Sequence, residues 1–296
     1  PDEMRDSRLY GVELDSISGR IAKQLYQTAD IQVSGFEKTQ FPDNFFDVAV
    51  GNVPFGQFKL SEKRYNKLNL NIHDHFFAKS LDKVRAGGVI AFVTSKGTLD
   101  KSNESFRKYL AQRAELIGAI RLPNTAFKEN AGTDVTSDII FLQKRDKILD
   151  IEPDWVHLGK TADGVPVNKY FEEHPEMILG EMKQGMEYSM YGNAEETACV
   201  AIEGDNLRDR LKEAVSNIQG SITDAEHEEN EKAAESIPAD PNVRNFSYTV
   251  VDDRLYFREN SRMFLKDNLP KATEERIKGL CKLRDCVRTL IDYQLN

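Results

Sequence analysis

The sequence is poor in the features that mark secreted and membrane proteins. Its 296 residues contain three cysteines, Cys199, Cys281 and Cys286, which is too few for a disulfide framework in a chain of this size. No apolar run approaches the about eighteen residues that a membrane-spanning helix needs. The first residues, PDEMRDSRLYGVEL, lack the basic start and apolar centre of a signal peptide. We therefore expect a cytoplasmic protein with reduced thiols and no membrane partner.

The chain also lacks an initiator methionine, and it enters a strand-like segment almost at once. This beginning is typical of a piece of a longer polypeptide, so we expect further domains beside it. No G-x-G-x-x-G loop occurs in the sequence, and GKTADG at residues 159–164 does not fit the G-x-x-x-x-G-K-[ST] phosphate loop. Neither of these two nucleotide sites is therefore predicted.

Charge is distributed unevenly along the chain. The net charge is −9, yet residues 1–150 hold 22 basic against 20 acidic residues, whereas residues 151–296 hold 18 against 29. A surface that binds a polyanion is therefore expected in the first half.

Short apolar strands alternate with helical patterns over residues 9–145. RLYGVEL, FFDVAVGN and VIAFVTS have the composition of strands, and helical spacing follows the first of them at Ile17, Ile21 and Leu25. FFDVAVGN is apolar nearly throughout, as is typical of parallel strands covered on both faces. The alternation predicts a doubly wound α/β sheet. The last two strands are joined without a helix, which permits an antiparallel pair at one sheet edge.

The pattern changes after about residue 148. We predict a core at 1–148, an irregular and partly helical extension at 149–236, and a hairpin with a long C-terminal helix at 237–296. The hairpin turn is predicted at Asp252-Asp253 within FSYTVVDDRLYF. The acidic run at residues 224–235 is interpreted as solvated surface.

The most informative stretch is DVAVGNVPFG, where an apolar strand ends in Asn52, Val53, Pro54 and Phe55. In doubly wound folds, ligands bind beyond the carboxyl ends of the parallel strands. Alone, the four residues fit either a plain strand-ending turn or a site that grips a flat polar group. Pro54 restricts the backbone in both cases.

With its flanking segments, this motif resembles the N6-adenine DNA methyltransferases, which carry Asn/Asp-Pro-Pro-Phe/Tyr at the same strand end. IHDHFFAKSLDKVRAGGVIAFVTSKGTLD and ELIGAIRLPNTAFKENAGTDVTSDIIFLQKR are similar to modification subunits of type I restriction systems and to methylase regions of large mobile-element proteins with helicase modules. The resemblance covers about residues 9–145, in matching order. It implies a Rossmann-like, class I S-adenosylmethionine-dependent methyltransferase sheet.

The resemblance also implies an activity, the transfer of a methyl group from S-adenosylmethionine to the amine of a flipped adenine in double-stranded DNA. Asn52 and the Val53 carbonyl would accept the amine hydrogens, Pro54 would fix the turn, and Phe55 would stack on the base. Val53 stands where the family usually has its first proline, which leaves the turn less constrained. Phe127 matches a second base-stacking position, with packing on the core as the alternative.

On the cofactor side, the resemblance implies that Glu13 binds the ribose and that Phe36 packs on the adenine ring, with Asn52 nearby. The alternative at the Glu13 strand end is a plain helix cap, since Asp15 or Ser16 precedes the helix, and the alternative for Phe36 is core packing. The family's Phe-x-Gly-x-Gly loop should precede Glu13 and does not occur. We therefore expect a sheet that is incomplete at its N-terminus and a fragment that is inactive on its own.

The loop after the motif carries four basic residues interleaved with aromatic ones. They either hold DNA phosphates or form a solvated loop, and they are Lys59, Lys63, Arg64 and Lys67. His73 and His75 form an H-x-H pair, but because no cysteine or third histidine lies nearby we interpret them as a helix start and predict no metal site.

Two other functions stay open at this level. A non-catalytic methyltransferase-like module that binds DNA or acts as a scaffold fits the acidic, irregular second half. A protein glutamine N5 methyltransferase fits the motif, since the release-factor enzymes hold an amide in an Asn-Pro-Pro-Tyr turn. The type I-like last strands favour DNA methylation within a restriction-modification or mobile-element protein.

Overall fold

The computed structural model describes residues 7–56, 58–128, 132, 134–189, 192–220, 236–240, 242–244, 246–259, 262–267 and 269–295. The chain forms two compact units, Pro1–Ala225 and Glu226–Asn296. No helix within these described ranges is both long and apolar enough to cross a membrane.

The first unit combines short strand pairs and one larger sheet with helices. Its strands are β1 (Tyr10–Glu13), β2 (Asp30–Val33), β3 (Phe46–Asn52), β4 (Val84–Ser95), β5 (Ala114–Leu122), β6 (Ser137–Lys144), β7 (Leu158–Lys160), β8 (Pro166–Asn168), β9 (Glu181–Gln184) and β10 (Thr197–Val200). Its helices are α1 (Ser16–Leu25), α2 (Ile72–Lys83), α3 (Gly97–Asp100), α4 (Ser105–Arg113), α5 (Lys169–Glu173) and α6 (Leu207–Ser216).

The larger sheet has the strand order β3-β4-β6-β5. Strands β3 and β4 run parallel, so that Asn52 lies opposite Val93, whereas β6 runs antiparallel to both β4 and β5. The predicted antiparallel pair at one edge of the sheet is therefore confirmed. Because β3 and β4 are parallel, the residues that follow their carboxyl ends meet at the same side of the molecule.

Strands β1 and β2 form a separate parallel pair. Helix α1 joins them and packs on β2 at Gly19, where an added Cβ would lie 2.7 Å from a Val33 methyl group. Glycine permits this close approach. The pair meets the start of β3 through Tyr10, whose ring contacts those of Phe45 and Phe46 edge to face.

One face of β3 is open. Val48 is 45% exposed and Val50 is 71% exposed, and the apolar stripe of α1 at Ile17, Ile21 and Leu25 is exposed as well. The prediction that β3 is covered on both faces is therefore wrong for the described part of the chain. The strand has the predicted apolar composition, but a second apolar layer over Val48 and Val50 does not lie within the described residues.

Residues beyond 148 share the core of the first unit. Trp155, Val156, Val167 and Phe171 are buried in the same hydrophobic cluster as Leu110 of α4. The predicted boundary near residue 148 thus lies inside one compact unit. The segment that follows it has no regular apolar spacing in its sequence, yet its apolar side chains pack into the core beside the sheet.

A buried ion cluster fastens the end of β5. The fully buried Arg121 makes two parallel hydrogen bonds to Asp138 of β6, at 2.8 and 2.9 Å, and a 2.7 Å ion pair with Asp100 of α3. Its guanidinium carbon lies 4.3 Å from the centre of the Phe171 ring. Burial disfavours the charge of Arg121, but the two carboxylates outweigh that effect and raise its pKa.

The second unit is a four-stranded antiparallel sheet in the order β11-β14-β13-β12, with a long helix. The elements are β11 (Ser236–Pro238), β12 (Tyr248–Val251), β13 (Arg254–Glu259), β14 (Arg262–Leu265) and α7 (Lys271–Leu295). The predicted hairpin is confirmed, and its turn residues Asp252 and Asp253 have φ values of 48° and 60°, as the type I′ form of a two-residue hairpin turn requires. The acidic run at 224–235 lies outside the described residues.

Candidate functional site

The motif begins where β3 ends. Asn52 is the last residue of the strand and its side chain is exposed, with no hydrogen bond to any residue that the structure describes. The next residue, Val53, is 2% exposed, and its N–H donates to the carbonyl of Val93 at 3.0 Å. Pro54 has no N–H and ends the ladder there. The amide of Asn52 is therefore presented to solvent from a fixed backbone.

The first turn of α2 stands behind the motif. The ring of Phe55 is 40% exposed, and its centre lies 5.8 Å from that of His73 with an angle of 33° between the planes. The N–H of Gly56 donates to Nε2 of His73 at 3.5 Å. His73 thus contacts both the aromatic side chain and the backbone that follow Asn52.

A cavity of about 330 Å³ opens beside this turn. It is lined by Gly56, Asn71, His73, Asp74, Ser95, Gly97, Thr98 and Lys101. Both oxygens of Asp74 accept hydrogen bonds from Lys101, at 2.8 and 2.6 Å. Burial raises the pKa of Asp74 against the opposing effect of Lys101. The cavity is large enough for a small flat ligand and presents paired charges instead of a bare one.

The four basic residues of the loop after the motif differ in their side-chain partners. Arg64 pairs with Asp43 at 2.7 Å and with Asp82 at 2.9 Å, and these carboxylates raise its pKa. Lys59 donates to the Asn69 side chain at 2.7 Å. The side chains of two others, Lys63 and Lys67, are exposed. Arg64 is thus already paired with carboxylates, and phosphate contacts by all four basic residues stay predictions.

Glu62 holds this loop against α2. Its carboxylate lies 2.9 Å from Nε2 of His75 and accepts hydrogen bonds from the fully buried Lys79 at 3.0 and 3.1 Å. Burial lowers the pKa of Lys79, and the bonds to Glu62 oppose that change. The loop is thus anchored by an acid in its middle, while the side chains of Lys63 and Lys67 are exposed.

The residues predicted for the cofactor lie on other elements. Glu13 is half-buried at the end of β1, and its Oε1 accepts the N–H of Asp15 at 2.8 Å. The helix cap is Asp15 itself, which accepts the N–H groups of Ile17 and Ser18, and these bonds lower its pKa. The helix-cap alternative is therefore confirmed at Asp15, and ribose binding by Glu13 stays a prediction.

Phe36 packs on α2. Its ring centre lies 4.7 Å from that of Phe76, and the Lys79 ammonium lies 5.1 Å from the Phe36 ring centre. Phe127 is half-buried and packs against the core cluster. The described part of the chain shows no ring contact between Phe127 and Phe55. For both phenylalanines the structure contains the core packing that was the alternative, and their ligand contacts stay predictions.

Sequence reasoning missed the residues that support the motif from α2, β4 and α3. His73 was singled out only as part of an H-x-H pair, and in the structure it and His75 do begin a helix. Thr94, Thr98 and Lys101 carried no signal, because their relation to Asn52 arises from the parallel pairing of β3 with β4.

One group of described residues has metal-ligand spacing away from the motif. The ligand atoms of Glu104, Glu152 and His157 lie within 4.8 Å of one another. The Lys108 ammonium lies 2.7 Å from the Glu152 carboxylate and supplies a positive charge there. Three side chains with a lysine among them are a surface ion network, and they give no further support for a metal.

Residues 7–127 match the family described as the Eco57I restriction-modification methylase. The predicted resemblance to restriction-modification methylases is confirmed over this segment, and so is the α/β methyltransferase fold class. The matched segment includes β1 to β5 and the motif from Asn52 to Phe55.

A curated relative is the Defense against restriction protein B of Escherichia phage P1. It is 33% identical over 138 residues, which are 45% of this chain and 6% of that protein. The chain therefore corresponds to a small part of this relative. Solved structures with partial similarity include a protein assigned as a modification subunit of a type I restriction enzyme from Vibrio vulnificus, at 20% identity and a TM-score of 0.39, which covers 67% of this chain and 47% of that one. The type I restriction enzyme EcoKI M protein matches at 12% identity and a TM-score of 0.40, over 70% and 57% of the two chains.

Proposed function

We propose that the first unit forms the acceptor half of a DNA adenine-N6 methyltransferase that uses S-adenosylmethionine, within a restriction-modification or mobile-element protein. The observation that carries the proposal is the exposed Asn52 amide, held at the end of β3 next to the half-exposed ring of Phe55. These are the two groups that a flipped base needs, one for its polar edge and one for its face.

The proposed chemistry uses hydrogen-bond acceptors instead of a strong base. An exocyclic adenine amine is conjugated with its ring and is a weak nucleophile. The Oδ1 atom of Asn52 accepts one amine hydrogen and the carbonyl of Val53 the other, which orients the nitrogen lone pair. Phe55 stacks on the base after it has left the duplex. The proton leaves after methyl transfer, so no buried carboxylate is required beside the amine.

Two of the residues proposed to bind S-adenosylmethionine, Glu13 and Phe36, have side chains suited to parts of that molecule. Glu13 ends β1 with a half-buried carboxylate, and one of its oxygens holds the Asp15 N–H, which fixes the side chain for the ribose hydroxyls. Phe36 lies beside α2, where its ring packs on that of Phe76, and the proposal needs it to contact the adenine ring as well. S-adenosylmethionine supplies the methyl group when it is bound.

The open face of β3 supports the proposal that more polypeptide completes the site. Val48, Val50 and the α1 stripe expose apolar surface that a further strand and helix would cover. Because this chain aligns with 6% of the phage relative, we propose that further domains, including a helicase-like motor, belong to the parent protein. In such a protein the cytoplasm is the expected place of action.

The decisive test is the identity of the methylated product. The chain joined to its natural N-terminal flank is expected to transfer labelled methyl groups to double-stranded DNA, and nuclease digestion should release N6-methyldeoxyadenosine. The 296-residue chain alone serves as the comparison and is expected to transfer far less. Label on a release-factor glutamine would establish the protein methyltransferase instead. DNA binding with no transfer from any flanked chain would establish the non-catalytic module.

Substitutions in the loop after the motif should separate DNA contacts from structure. The slope of log affinity against log salt concentration is negative, and its magnitude is expected to be smaller by about 2 in the double variant Lys63→Ala with Lys67→Ala. The reason is that two lost phosphate contacts leave about two counterions bound to the DNA. Fluorescence anisotropy with a labelled duplex measures this slope. Arg64→Ala is the matched control, because Arg64 is already paired with Asp43 and Asp82. An equal fall in both variants would contradict the assignment.

A further inference from the structure

We propose that His73 is a positioning residue for the motif turn, held as the neutral Nδ1–H tautomer in a chain of hydrogen bonds that runs from Gly56 to Thr94 and Thr98. The proposal deepens the function above and rests on it for its catalytic consequence, whereas the tautomer itself follows from contacts within the chain. The proposed role needs no contact of His73 with the donor or the base, because His73 acts through Phe55 and the backbone of Gly56.

The contacts form one continuous line. The N–H of Gly56 lies 3.5 Å from Nε2 of His73, and Nδ1 of the same ring lies 3.3 Å from the Thr94 hydroxyl. Thr94 lies in β4, and its hydroxyl lies 2.9 Å from that of Thr98 in α3. Both threonines are buried, at 0% and 2% exposure. The line therefore runs from the motif turn, through His73 of α2, to two buried hydroxyl groups, of which that of Thr98 belongs to a residue that lines the cavity.

One tautomer satisfies every partner in this line. A backbone N–H can only donate, so Nε2 of His73 has to present its lone pair to Gly56. The ring proton of neutral His73 then resides on Nδ1 and is donated to Thr94. The hydroxyl of Thr94 then donates a hydrogen bond to the hydroxyl of Thr98. In the opposite tautomer Nε2–H faces the Gly56 N–H, and two donors meet with no acceptor between them.

The surroundings keep the ring neutral. From α2, the charged group that faces His73 is Asp74, and from the segment after α3 it is Lys101, which is paired with Asp74. Thr94 of β4 and the motif backbone carry no charge. Burial lowers the pKa of His73 below its ordinary 6.5, Asp74 opposes that change and Lys101 adds to it. The neutral form thus persists through pH 7.

Protonation would undo the contact with the motif. An imidazolium has two N–H donors and no lone pair, so it cannot accept from Gly56. As the pH falls through the lowered pKa of His73, the turn that carries Phe55 loses its support. We therefore expect the rate of methyl transfer to decrease at low pH, and we expect protonation of His73 to cause this acid limb of the pH–rate profile.

Nuclear magnetic resonance tests the tautomer without any need for methyl transfer. In the 296-residue chain labelled with ¹⁵N-histidine, the long-range ¹⁵N–¹H spectrum at pH 7.5 should show His73 protonated on Nδ1 and bare on Nε2. The signal is assigned by its loss in His73→Gln, and the other four histidines serve as internal references. An Nε2–H tautomer or an imidazolium at this pH would overturn the proposal, whatever the activity of the chain.

Two variants test the consequence for the reaction. His73→Phe keeps a ring beside Phe55 but removes both hydrogen bonds, and kcat is expected to fall about tenfold with little change in KM for DNA. His73→Gln keeps a side-chain acceptor for Gly56, should retain more activity than His73→Phe, and should lose the acid limb of the pH profile. His157→Gln, at a half-exposed histidine outside the site, should leave rate and profile unchanged.

The outcomes are separable from those of the proposed function. An acid limb that survives unchanged in His73→Gln, or a rate in His73→Phe equal to that of the unmodified chain, would refute the positioning role. If no flanked chain methylates DNA, the proposed function fails, and the tautomer measured by resonance still decides whether His73 holds the turn.

Discussion

Asn52→Ala is expected to lower the rate of methyl transfer to DNA by about 10²–10³-fold while leaving the fold intact. The substitution removes the acceptor that orients the adenine amine, and the exposed side chain makes no hydrogen bond to a described residue, so its loss disturbs no packing. Initial rates measure the effect, with labelled S-adenosylmethionine and the chain joined to its natural N-terminal flank. Circular dichroism and thermal unfolding confirm that the variant is folded.

Two further variants sharpen this test. Asn52→Asp keeps an oxygen acceptor of nearly the same shape and should retain more activity than Asn52→Ala. Asn217→Ala replaces an exposed asparagine at the end of α6 and should transfer methyl groups at the unmodified rate. Full activity in Asn52→Ala would refute the proposed handling of the amine, even if the product proved to be N6-methyladenine.

Arg121→Met is expected to destabilise the first unit by about 3–5 kcal/mol, because it leaves the buried carboxylate of Asp138 without its partner. Burial already raises the pKa of Asp138, and Arg121 is what opposes that rise. Urea unfolding measures the loss. The single tryptophan, Trp155, is buried in the first unit, so its fluorescence reports the unfolding of that unit alone.

The reason for the loss can be checked by removing the stranded charge. Adding Asp138→Leu to Arg121→Met should recover part of the stability, since two apolar groups replace a broken ion pair. Arg208→Met, at an exposed arginine of α6, should change stability by no more than about 0.5 kcal/mol. A change within 1 kcal/mol for Arg121→Met, or no recovery in the double variant, would show that the cluster is not a stabilising centre.

The sequence predicted most of the local structure between residues 9 and 145. The strands β3 and β4 are rich in Val, Ile and Ala, and the segment of α1 has apolar residues at helical spacing, so these local signals agree with the fold. The Asp252-Asp253 turn was equally readable, because few residue types accept two left-handed conformations in succession. The motif itself was found from the order of Asn52, Pro54 and Phe55 behind an apolar strand.

Relations across the sheet were beyond the reach of the sequence. His73 and Thr94 are 21 positions apart, and they meet only because α2 packs behind the β3–β4 pair. Trp155 and Phe171 have no regular spacing, so a segment that packs into the core read as irregular. The exposure of Val50 could not be predicted from the sequence for a related reason. An apolar composition shows that a strand face is apolar, but it does not show which residues cover that face.

The valine in the motif has a consequence for how the turn is kept rigid. Proline restricts a turn covalently and would do so even in a partly unfolded chain, whereas Val53 restricts it through a hydrogen bond to Val93 and a buried side chain. The rigidity of this turn is therefore cooperative with the sheet. If the edge strand β3 separates from β4 on heating, we expect the Asn52 amide to lose its alignment in the same transition.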